Sequence, residues 1–107
     1  MAYHVVTTLQ ADQDIDRTIR WLKRKYSALT AAKWLGAIST AMDSLAEQPE
    51  RCPLAVEDPH LSVQLRELVV RRYRGVTYRI LFRITGDTVI IHRVRYAKRD
   101  SVKESDL

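Results

Sequence analysis

The densest concentration of chemically useful side chains is cationic: Arg71, Arg72, Arg74, Arg79, Arg83, Arg93, Arg95, Lys98 and Arg99, with Tyr96 among them. A guanidinium is planar and permanently charged, and its fork matches the oxygens of phosphate or carboxylate. Arginines grouped with a tyrosine can hold a phosphate backbone, stack on a base, or stabilise the charge that builds on a phosphorane during RNA cleavage. Cleavage also needs a general base and acid. His92, Glu67, Tyr96 and Lys98 are of suitable type, but nothing in their spacing sets any of them against a substrate.

Other chemistries find less support. His4, His60 and His92 are far apart and show no paired metal-ligand spacing, and Cys52 is the lone cysteine, so neither a metal site nor an internal disulfide is expected. The three glycines (Gly36, Gly75, Gly86) form no phosphate-cradling or dinucleotide-binding pattern, and no cofactor is implied. No Ser-His-Asp grouping stands out.

The positive charge belongs to one part of the chain. Between Arg66 and Arg99, ten Lys/Arg meet only Glu67 and Asp87, a net of +8. Met1 to Leu65 carries −1 and Asp100 to Leu107 carries −2, within a total of +5. Such asymmetry points to a polyanionic partner, either nucleic acid or an acidic peptide, against the plainer reading of a solvated basic face. Apolar runs are only a few residues long, too short to cross a bilayer, and the N-terminus has no basic stretch leading into an apolar one. A cytoplasmic protein with no membrane partner is expected.

The elements that must position these cations follow from periodicity. Tyr3 to Leu9 is rich in β-branched and aromatic residues and reads as a strand. Ile15, Ile19, Leu22 and Tyr26 recur at helical spacing, with Asp12 or Asp14 as the expected start and Lys23, Arg24 and Lys25 in the last turn. Ser27 is the expected cap of a second helix with a stripe of Leu35, Ile38, Met42 and Leu45. The short break predicts an antiparallel helical hairpin. Gly36 is assigned to close helix contact, and Trp21 and Trp34 to packing.

All three prolines fall in Glu47 to His60, which reads as a loop. Three strand-like runs follow, "LRELVVRRY", "VTYRILFRI" and "TVIIHRVRY", the last two joined at Gly86. The result is an α+β fold: an N-terminal strand, a two-helix antiparallel hairpin, then a three-stranded antiparallel sheet covered on one face. Residues 1–100 form one domain, and residues 101–107 a polar, frayed tail.

Side chains alternate along a strand, so Val76, Tyr78, Ile80, Phe82 and Ile84 share the core face while Thr77, Arg79, Leu81 and Arg83 share the other. In the last strand, Val89, Ile91, Arg93 and Arg95 alternate with Ile90, His92, Val94 and Tyr96, and alternation alone does not say which set joins Arg79. Unpaired buried guanidiniums are prohibitive, so the arginine face is expected to be wet, concave, and open to an anionic partner.

The helical stretch "WLKRKYSALTAAKWLGAISTAMDSLAEQPERCPLA", followed by "LRELVV", "YRILFRI" and "DTVIIHRVRYAKRD", resembles the RelE/ParE superfamily, toxins of bacterial type II toxin–antitoxin (plasmid stabilisation) systems. The resemblance covers Val5 to Asp100 in the expected order. It implies a cognate antitoxin, a toxin–antitoxin hetero-oligomer, and one of two activities. RelE-like members cleave mRNA in the ribosomal A site with the arginine that Arg79 matches, aided by C-terminal residues that Arg95 or Arg99 would supply. ParE-like members inhibit DNA gyrase and are not nucleases. In this chain, Ala97 and Lys98 stand where some nucleases carry a His-Tyr pair, and Val63 to Arg66 offers no carboxylate or lysine as base. The resemblance therefore favours the ParE-like branch. Catalytic roles for Arg79, Arg95 and Arg99 apply only under the RelE-like alternative. The binding face comprises Arg71, Arg72, Arg74, Arg83, Arg93, Tyr96 and Lys98.

Overall fold

The computed structural model describes residues 2–71, 77–97 and 102–107. Strand β1 (His4–Thr7) leads into helix α1 (Leu9–Lys25), helix α2 (Ala28–Asp43), a loop of short 3-10 turns, and strands β2 (Arg66–Arg71), β3 (Thr77–Thr85) and β4 (Thr88–Tyr96). The strands form one sheet in the order β1-β4-β3-β2. β2, β3 and β4 are antiparallel neighbours, and β1 adds parallel to β4 from His4 beside Thr88 to Thr7 beside Ile91. The expected α+β architecture is present, with β1 completing a four-stranded mixed sheet. Gly86 turns the β3–β4 hairpin at φ +59, a left-handed value that a Cβ disfavours.

The helix starts differ from expectation in one case. Thr8 caps α1, its hydroxyl accepting from the Ala11 N–H at 3.1 Å, while Asp12 lies within the first turn. Asp14 lies in the second turn and is buried, with another use described below. Ser27 caps α2 as its residue type predicts, accepting from the Thr30 N–H at 3.1 Å.

The core lies between the helical hairpin and one sheet face. Tyr78, Ile80, Phe82, Val89, Ile91 and Val94 from the sheet meet Leu22, Ala31, Trp34 and Ile38 from the helices. The buried stripe of α2 runs through Trp34 rather than Leu35, which is 37% exposed. The indole ring packs on the ring of Tyr78 with centroids 5.3 Å apart, filling space above the sheet that a leucine would leave partly empty. A Cβ at Gly36 would meet nothing within 4 Å, so close helix contact does not account for that glycine. Trp21 is 42% exposed and is not a core residue.

The opposite sheet face is covered as well. Ala55, Leu65, Leu81 and Val102 form a second buried cluster, with Leu61 and Leu107 packed against it. The C-terminal residues are therefore not frayed. Val102 is 3% exposed, and Glu104–Asp106 makes a 3-10 turn closed by hydrogen bonds to Asp106. Apolar Val102 and Leu107 hold the segment down despite its polar composition.

Candidate functional site

β4 settles the face of its arginines by breaking alternation. Phe82 pairs with Ile91, but Leu81 pairs with Arg93, leaving His92 as an extra residue in a β-bulge. Before the bulge Val89 and Ile91 face the helices; after it Val94 and Tyr96 share the face of Tyr78 and Ile80. Arg93 and Arg95 are thereby carried to the face of Arg79 and Leu81. Neither alternation set of the sequence holds along the whole strand.

That face is not open to solvent, as the sequence suggests it should be. Its guanidiniums are met by carboxylates of the same chain, which is how the fold avoids burying unpaired charge. Arg79 donates through Nη1 and Nη2 to both oxygens of Glu57 at 2.9 and 2.6 Å, and through Nε to Glu67 at 2.7 Å. All three side chains are at most 15% exposed. Glu57 also accepts the Val102 N–H at 3.0 Å. The Arg79 hydrogen bonds hold its carboxyl down to about 2, against the opposing effect of burial, and the Arg79 pKa is pushed up in return.

Arg93 makes a second fork, donating to both oxygens of Asp14 at 2.8 Å. Asp14 reaches the site from α1 and accepts the Val94 N–H at 3.0 Å. Just before it, the Thr8 hydroxyl donates to the His92 carbonyl at 2.9 Å. The edge of β4 beyond the end of β1 is thus joined to α1 by side chains. Asp106 adds a further carboxylate, its Oδ1 lying 3.4 Å from Arg93 and 3.1 Å from Arg95. The Lys103 N–H first, and then Arg95 and Arg93, hold the Asp106 pKa below its usual range.

The remaining candidates are dispersed. Arg71 is exposed at the end of β2. Tyr96 is 36% exposed on the helix side of the sheet, its ring 5.9 Å from that of Tyr78. Arg83 and His92 face one another electrostatically. Burial first, then the Arg83 charge, lowers the His92 pKa, so the imidazole is neutral near pH 7. Its two ring nitrogens have no hydrogen-bond partner among the described residues. Arg72, Arg74, Lys98 and Arg99 lie outside the described residues.

Sequence reasoning did not single out a groove of about 660 Å³ between the C-terminal half of α1 and the end of the sheet. Trp21, Tyr26, Tyr78 and Tyr96 line it, with Arg17, Arg24 and Lys25 at its rim. The Lys25 ammonium lies 5.3 Å from the Trp21 ring centre, a cation–π arrangement. The half-exposed indole, assigned to packing from sequence, was the available signal.

Chemically, the arrangement is better suited to binding than to proton transfer. A general base works best with a pKa near the working pH, and Glu57 titrates far below it. Arg79 can take a phosphate only by releasing two carboxylates. Among the described residues no group of His, Cys, Asp and Glu could hold a metal ion, and no helix is long and apolar enough to cross a membrane.

Comparison with known proteins fits this fold. The family model for the ParE toxin of type II toxin–antitoxin systems matches residues 5–101, and the chain belongs to that family. Among solved structures, the chromosomal ParDE toxin–antitoxin system of P. aeruginosa aligns over 91% of this chain and 98% of its own, at 18% identity and a TM-score of 0.75. A RelBE toxin–antitoxin complex of Mycobacterium tuberculosis aligns over 90% of this chain and 99% of its own, at 25% identity and a TM-score of 0.51. No curated protein matches.

Proposed function

We propose that this chain is a ParE-like growth inhibitor that acts in the cytoplasm on DNA gyrase and is neutralised by a cognate antitoxin. Membership of the ParE toxin family supports this reading, and the observation that carries it against nuclease action is the state of Arg79. In the RelE-like alternative Arg79 holds the scissile phosphate, yet here Glu57 and Glu67 already take its Nε and both terminal nitrogens. His92 is buried and Glu57 is too acidic to accept a proton near pH 7. The exposed cations open to an acidic antitoxin segment include Arg24 and Lys25 beside the aromatic groove.

The direct experiment is gyrase supercoiling of relaxed plasmid with the purified protein in molar excess. Inhibition, relieved by a co-expressed antitoxin, is the expected outcome, and normal supercoiling would reject gyrase as the target. Mapping mRNA ends on ribosomes after induction tests the alternative, for which new cleavages inside A-site codons would be required.

A further inference from the structure

The groove between the end of α1 and the sheet has an aromatic wall on either side. Trp21 and Tyr26 stand on the helix side, their rings edge to face with centroids 6.0 Å apart. Tyr78 and Tyr96 stand on the sheet side, with centroids 5.9 Å apart. Trp21, Tyr26 and Tyr96 keep 42%, 47% and 36% of their surface exposed, so these rings are not consumed by the core. The volume of about 660 Å³ is that of a small-molecule site, in which apolar walls carry a few polar groups that fix orientation. Facing rings offer their surfaces and edges to a planar group placed between them.

Charge decides which planar group fits. Aromatic walls alone would also suit an organic cation, which such rings attract. Here the one acid of the groove among the described residues, Asp14, is already spent. Both of its oxygens accept from Arg93 at 2.8 Å, and Oδ1 lies 3.6 Å from Arg17. Arg24 and Lys25 line the same groove, are exposed, and have no carboxylate partner among the described residues. The Lys25 ammonium rests 5.3 Å from the Trp21 ring centre, so a positive charge and an aromatic surface are presented side by side.

From this pairing of rings and cations we infer that the groove is a binding site for a small planar aromatic acid, its ring between the two aromatic walls and its carboxylate toward Lys25 and Arg24. The ring supplies most of the affinity, because the walls shed water around it. The carboxylate chiefly sets orientation, since an ion pair between groups that stay in water is worth little. The arginines of the opposite sheet face take no part. The inference goes beyond gyrase inhibition and does not depend on it, because it concerns a small ligand and is read with the toxin alone.

The test is a titration of the full chain with 2-naphthoate, followed through the indole N–H signals of Trp21 and Trp34 by proton–nitrogen correlation NMR. The Trp21 signal should move far more than that of buried Trp34, with a dissociation constant on the order of 0.1 mM for so small a ligand. Neutral 2-naphthamide should bind about fivefold more weakly, and cyclohexanecarboxylate, which has the charge without the ring, about tenfold more weakly. Lys25→Gln should weaken 2-naphthoate about fivefold. Arg20→Gln, which removes an exposed cation of α1 outside the groove, should leave its affinity close to that of the parent. An unmoved Trp21 signal, or equal weakening by the two variants, would overturn the inference. So would 2-naphthylmethylammonium binding as tightly as the acid, which would make the groove a cation cage. Binding of a blocked acidic pentapeptide with a central tryptophan, without binding of 2-naphthoate, would overturn it in favour of a peptide seat. The ligand series uses the unaltered chain and so decides the question even where a variant does not fold.

Discussion

Two arginine sites lie side by side on the second face of the sheet, and they are built for different ends. At Arg79, one guanidinium is saturated by two carboxylates from the interior of the fold, all at short distance. At Arg93 and Arg95, two guanidiniums share Asp106, a residue close to the end of the chain. The first is a joint that ties the loop, β2, β3 and Val102 together. The second is a closure that a terminal segment provides. The same residue type on the same face, equally buried in both places, is thus tied to the interior of the fold in one and to the C-terminal turn in the other. The difference lies in which carboxylates meet it and how firmly they are anchored.

Breaking the joint should have the largest effect. Arg79→Ala strands Glu57 and Glu67 as buried, uncompensated charges, and loss of one partner from a buried pair costs about 3–5 kcal/mol. Urea unfolding should show this as a large fall in the midpoint. A loss below about 1 kcal/mol, the range of exposed pairs, would mean that the site is effectively solvated.

An intermediate effect should appear in acid. The Glu57 pKa is depressed from 4.5 to about 2 in the folded chain. Its unfolded form binds a proton first, so this stabilisation is complete above pH 5 and is lost as the pH falls from about 5 toward 2. The full contribution is roughly 3 kcal/mol at neutral pH. Glu57→Gln should flatten the stability profile in that window, and a variant profile parallel to that of the parent would contradict the assignment.

The smallest effect belongs to the closure. Asp106→Asn should cost less than about 1 kcal/mol in the same urea experiment, in keeping with a partly exposed pair. A cost approaching that of Arg79→Ala would erase the distinction between the two sites and make the C-terminal turn as structural as the joint.

The order and type of the elements were legible from the chain because they follow from short-range signals. Helical spacing, the Ser27 cap and the Gly86 turn each lie within a few residues of what they determine. The core face of β3 could be read from its alternation for the same reason. Partners of the arginines could not, because they lie 11 to 79 residues away in sequence. Asp14 looks like an ordinary helix-dipole acid until α1 is laid beside β4, and Glu57 is one acid among several in a loop. The parity break in β4 did leave a trace. Apolar residues stand at Val89 and Ile91 and resume at Val94 and Tyr96, an odd-to-even step that marks an inserted residue between them. The C-terminal segment is polar in composition, yet one buried valine and one carboxylate with two partners are enough to seat residues 102–107, and neither partner is visible from local sequence.

Asp14 has a consequence beyond neutralising Arg93. A strand that outruns its neighbour leaves bare amides and carbonyls, and such a rim is a template onto which another chain can crystallise as an extra strand. β4 outruns β1 at Ile91, and within the next three residues its His92 carbonyl is taken by Thr8 and its Val94 amide by Asp14. The first turns of α1 therefore act as a selvedge, finishing the cut edge of the sheet so that it does not unravel into its neighbours.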